Sequence, residues 1–158
     1  MTVAAPLSLD PEQREMVRAE LLALTASLRE PTSRKPYADL VQAIDEEAEE
    51  IAGDLVGVLQ RLLEMSLASG RARRLHGADG EQALLRLFRD TPRGAAIRRT
   101  TDDANLALQA LGGQVIRGLR FAPQVPGVYR LEIATDRCQL TLEVNAAGVT
   151  VDALGIEA

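Results

Sequence analysis

At 158 residues the chain has the length of one ordinary domain, long enough to bury roughly two-thirds of the surface its unfolded form exposes, so neither metal nor disulfide is needed to fold it. A single Cys excludes an internal disulfide, one Cys with one His excludes the ligand sets of structural zinc, and two Phe, two Tyr and no Trp leave no aromatic platform for single-stranded nucleic acid. The net charge of −5 is segregated: residues 1–60 carry 5 basic and 12 acidic side chains, 61–121 carry 11 and 6, and 122–158 carry 2 and 5. Such asymmetry suits complementary charges within a fold or between copies, and equally a charged partner.

Residues 1–9 lack the basic and apolar regions of a signal peptide and are expected to be flexible. No stretch approaches the ~18 apolar residues of a membrane span, so a cytoplasmic protein without membrane contact is expected. The first helix should open at Asp10, which can cap it while Pro11 takes the first helical position and Glu12 and Glu15 favour the positive end of its dipole. Val17, Leu21, Leu24 and Leu28 give it an apolar stripe, and Pro31 stops it. Residues 30–36, with two prolines, read as a connector that closes a helical hairpin.

The strongest periodicity of the chain follows. Val41, Ile44, Ala48, Ile51, Leu55, Val58, Leu62 and Met65 recur at spacings of three and four, which predicts one long helix over residues 36–69, about 50 Å at 1.5 Å per residue. The first helix is too short to cover it. In the second half the apolar residues run nearly all the way round, the pattern of a helix enclosed by protein. Gly53 and Gly57, at about 1 kcal/mol each in a helix interior, suggest that another backbone passes close by.

Gly70 is a candidate C-cap, and RARRLHGADG then reads as a basic turn. Asp79 and Gln82 resemble a capping box that opens a short helix to Arg89. Thr91 and Pro92 restart the helix, which runs to Leu111 with an optional break and fresh cap at residues 101–103, and Gly112 and Gly113 end it. From Gln114 the apolar period changes to two. Leu131 and Ile133, then Leu140, Leu142 and Val144, then Val149 and Val151 alternate with polar residues, joined by short connections at 135–137 and 145–148. With residues 115–121 as a first strand and 123–127 as a turn, they make an antiparallel meander.

Candidate chemistry is sparse. The run DEEAEE would place Glu46 and Glu50 one helical turn apart, where two carboxylates can share a cation. A di-iron bundle also wants Glu-x-x-His pairs, and His76 belongs to none, so the run reads as a solvated helix face and no metal or cofactor is expected. His76 sits in no triad-like arrangement, and Cys138 shares its strand face with Leu140, Leu142 and Val144, which predicts a small buried apolar residue. Neither G-x-G-x-x-G nor a P-loop occurs, and an enzyme is not expected. Arg71, Arg73, Arg74, Arg98 and Arg99 form the core of an arginine cluster whose forks suit phosphate or carboxylate. Three helical pieces before strands also allow a winged-helix reading, against which stand Asp102 and Asp103 at the start of its recognition helix.

The expectation is therefore a single α+β domain: a flexible start (1–9), a helical part (10–112) made of a hairpin with one long helix and two shorter helices, and a three- to four-stranded antiparallel sheet (114–156). The function expected is a non-enzymatic adaptor or scaffold that binds a protein partner, in the first instance a second copy of itself, through Val41, Ile44, Ala48, Ile51, Leu55 and Val58. The alternative is an anion- or nucleic-acid-binding protein using the arginine cluster of residues 71–99.

Overall fold

The computed structural model describes residues 4–46 and 50–156 and has the expected α+β character: among the described residues, five helices precede a four-stranded antiparallel sheet. The chain forms two compact units, residues 1–94 and 95–158, with the boundary inside the last helix.

In the first unit, β1 (Leu7–Ser8) pairs antiparallel with β2 (Glu50–Ile51), Leu7 opposite Ile51. Residues 4–9 are thus part of the fold and not a loose leader, because Leu9 is buried and Leu7 packs on the core. Helix α1 (Pro11–Ser27) starts as predicted. The Asp10 carboxylate accepts from the Gln13 N–H at 2.7 Å and the Gln13 side chain accepts from the Asp10 N–H at 3.1 Å, a reciprocal cap with Pro11 in the first turn.

Helix α2 (Pro31–Asp45) corrects the connector expected over residues 30–36. Pro31 does not only end what precedes it; its fixed φ starts a new helix, which continues through Pro36 although that residue has no N–H to give to the Thr32 carbonyl. Tyr37, Leu40, Val41 and Ile44 face the core at helical spacing, and the Arg18 Nε donates to Asp45 at 2.7 Å, joining α1 to the end of α2. That hydrogen bond, with the carboxylate's charge, raises the Arg18 guanidinium pKa above its ordinary value.

The single long helix over 36–69 does not form. The helix ends at Asp45, the chain extends through β2, and α3 (Gly53–Ala68) begins afresh. The apolar period carries across this break because both helices and β2 bury their apolar residues in one core, shared by Leu40, Ile44, Ile51, Val58 and Leu62. Helix α3 packs against α1, α2 and α4, which explains its all-round apolar surface. At Gly57 an added Cβ would meet nothing within 4 Å, so the close backbone expected there is not the reason for the glycine.

Helix α4 (Arg71–Asp90) takes in most of the segment read as a basic turn. It is interrupted at Gly77, whose φ of 71° and ψ of −173° only glycine adopts readily. Thr91 and Pro92 make the predicted restart into α5 (Pro92–Gln109): the Thr91 hydroxyl donates to the Phe88 carbonyl at 2.6 Å and accepts from the Gly94 N–H at 3.2 Å. A Cβ on Gly94 would collide with the Phe88 carbonyl, so this corner demands glycine. Helix α5 runs through residues 101–103 without the optional break.

In the second unit, the meander β3 (Ile116–Val125), β4 (Val128–Thr135), β5 (Cys138–Asn145) and β6 (Gly148–Ile156) lies in that order, each strand antiparallel to its neighbour. The first strand runs farther than expected, and the turn shrinks to Pro126 and Gly127, the latter at φ 81°. Ala104 from α5 packs with Ile133, Leu140 and Leu142 in a small aliphatic core, bordered by Ala107, Leu111, Leu131 and Val149. The Thr135 hydroxyl donates to the Gln114 side chain at 2.6 Å and accepts from the Cys138 N–H at 2.9 Å, which fixes the β4–β5 turn against the start of β3. Cys138 itself is buried, as its strand position predicted.

Candidate functional site

Directly opposed residues in an antiparallel sheet share a face, so the register sorts this sheet into two sides. One side carries three apolar rows across the four strands: Leu119, Ile133, Leu140 and Leu154; then Phe121, Leu131, Leu142 and Val151; then Pro123, Tyr129, Val144 and Val149. The other carries Arg120, Glu132, Arg130, Glu143 and Asp152, with Arg120 within 4.0 Å of Glu132 and Arg130 within 3.5 Å of Asp152. Only the middle of the apolar side is covered. Leu140 is fully buried, while Leu119 is 64% and Phe121 61% exposed at one edge and Leu154 47% at the other.

The cause is local. Helix α5 offers Ala104 and Ala107 to the sheet and the turn after it adds Leu111, a narrow stripe that reaches the two central strands and Val149. Strand β3 is an edge strand that extends beyond this cover, and the rings of Phe121 and Tyr129 stack on one another at its open surface. An exposed apolar edge on a small unit, backed by a charged face, has the composition of an interaction surface. Sequence reading missed it because alternation shows which residues share a face and not how much of that face a helix will cover. The signal available was that residues 116–125 hold six apolar side chains, counting Ala122 and Pro123, more than a narrow helix stripe covers.

The residues expected to bind a partner lie elsewhere. Ile44, Ile51 and Val58 are 2%, 1% and 6% exposed and are enclosed by the first unit itself, while Val41 and Leu55 are partly buried and pack against the same core. The first three are therefore corrected from an open seam to core residues, and the other two to its border. Ala48 lies outside the described residues. Glu46 and Glu50 do not share a helix turn, since the helix stops at Asp45 and Glu50 is in β2. Among the described residues no group of three or more His, Cys, Asp or Glu side chains is placed to hold a metal ion, and no helix is long and apolar enough to cross a membrane.

The arginine cluster is divided. Arg98 and Arg99 are exposed on α5 in the second unit, whereas Arg71, Arg73 and Arg74 stand on α4 in the first. Each of the latter is engaged internally. Arg73 reaches Glu81 across the Gly77 interruption at 3.6 Å, and Arg74 donates to the Ser69 carbonyl at 3.1 Å. Arg71 Nε lies 2.9 Å from Glu20 Oε2, and His76 Nε2 lies 3.1 Å from Glu20 Oε1. Glu20 is 2% exposed, and a carboxylate buried so deeply on α1 is tolerable only with such partners. His76 is thus not an exposed turn residue. The interruption at Gly77 carries it against Gly80, which has no Cβ to obstruct it.

Compared with family models, with curated proteins and with solved structures, the chain matches none.

Proposed function

We propose that the protein is a non-enzymatic interaction module that forms a homodimer through the apolar face of its C-terminal sheet. The observation that carries the reading is the exposure of Leu119 and Phe121 on a face whose central residues are buried core. A second copy is the occupant that covers the Leu119 and Phe121 edge of both molecules at once without any other component, since a two-fold contact sets the same patch against itself. The proposal keeps the adaptor reading of the sequence and moves the contact from the 41–58 seam to the sheet.

Light scattering across a concentration series tests it. The wild-type chain is expected to approach twice the monomer mass, and Leu119→Glu with Phe121→Glu is expected to remain monomeric with an unchanged circular dichroism spectrum, because both side chains stand in solvent in the single chain. A wild-type protein that stays monomeric throughout rejects self-association.

A further inference from the structure

A cavity of about 470 Å³ opens beside the Glu20 cluster, within the first unit, between α1, α3 and α4. Its volume lies in the range of small-molecule sites. Leu24, Leu62, Met65 and Ala68 supply apolar walls, and Arg71 and Glu20 supply charge. The carboxylate of Glu20 is occupied on both oxygens, by His76 and by Arg71. The guanidinium is not. Among the described residues Arg71 makes no aligned hydrogen bond, its Nε being held beside Glu20 by charge, and its side chain is 31% exposed where it lines the cavity. An arginine fork with donors to spare at an apolar cavity matches a planar anionic head on an aliphatic chain. A cationic head would meet the Arg71 guanidinium and find both oxygens of Glu20 already held, and an uncharged one would leave the charge-assisted donors of Arg71 unfilled.

We propose that this cavity binds a medium-chain aliphatic carboxylate, its chain against Leu24, Leu62 and Met65 and its head on Arg71. The second copy invoked above plays no part in this site, so the two proposals stand or fall separately.

The test titrates the full chain with octanoate, octanol and octylamine below their aggregation limits, following backbone amide shifts. Octanoate is expected to saturate with shifts centred on Leu24, Leu62 and Arg71, and to bind at least about tenfold more tightly than octanol or octylamine. Arg71→Lys is expected to weaken octanoate by about tenfold and leave octanol unchanged, since lysine keeps the charge and loses the fork. Ala68→Trp, at an exposed position on the cavity wall, is expected to abolish binding of all three without unfolding the chain. Equal affinity for octanoate and octanol, insensitivity to Ala68→Trp, shifts centred on β3, or no saturable binding would each overturn the proposal.

Discussion

Phe121 lies flat on Tyr129 across the β3–β4 pair, with ring centroids 5.4 Å apart and planes 8° from parallel. They are diagonal neighbours, Phe121 facing Leu131 and Tyr129 facing Pro123 in the register, and both are exposed, Phe121 at 61% more than Tyr129 at 41%. An aromatic pair built this way adds little to the stability of the chain that carries it and much to any surface that comes to cover it.

The two edges of that face should therefore respond differently from its centre. Phe121→Ala is expected to lower stability by less than about 1 kcal/mol, while Leu140→Ala in the same sheet should lose about 2–5 kcal/mol, as measured by urea denaturation at a concentration where the protein is monomeric. A large loss at Phe121 under those conditions would mean that the ring is covered within the single chain.

Ile51→Glu separates core from contact surface. With Ile51 at 1% exposure, a carboxylate there is expected to destabilise the first unit by about 3 kcal/mol or more, and hydrogen exchange should report opening of α1–α4. A folded monomer with unchanged protection would restore the seam as an external contact.

Two glycines should give opposite signs. Gly57→Ala is expected to raise stability by about 0.5–1 kcal/mol, since the site is helical and an added methyl meets nothing. Gly94→Ala should lower it by about 1–3 kcal/mol, because the methyl must displace the Phe88 carbonyl at the α4–α5 corner. Thermal denaturation of both variants decides.

Cys138 offers a probe that needs no mutation. Buried at 7% exposure, its thiol is expected to react with a disulfide reagent only as the second unit opens, so the rate should rise with urea in step with unfolding. Fast reaction in buffer would contradict the placement of β5.

Where local chemistry decides, the sequence was a sufficient guide. The Asp10 cap, the Thr91–Pro92 restart and the period-two strands with their short turns could all be read because each depends on a few adjacent residues. The long helix failed for an instructive reason. Ile44, Ile51 and Val58 sit seven apart and all face one core, so their spacing reports shared burial, which two helices and a strand satisfy as well as one rod does. The two-residue pairing of β1 with β2 had only Leu7 and Leu9 to announce it, too short a pattern to distinguish from a tail. The Glu20 cluster was illegible because Arg71 and His76 are more than fifty residues from Glu20, and only the packing of α1 on α4 brings them together.

The neighbour-to-neighbour order of the sheet has a kinetic consequence. Each strand from β4 onward finds its partner in the strand just synthesised, across a two-residue link, so no long loop has to close before pairing begins. The C-terminal sheet should accordingly form quickly for an all-antiparallel β structure, zipping hairpin by hairpin, and β3, the strand with the most exposed apolar surface, is also the first of the four to leave the ribosome.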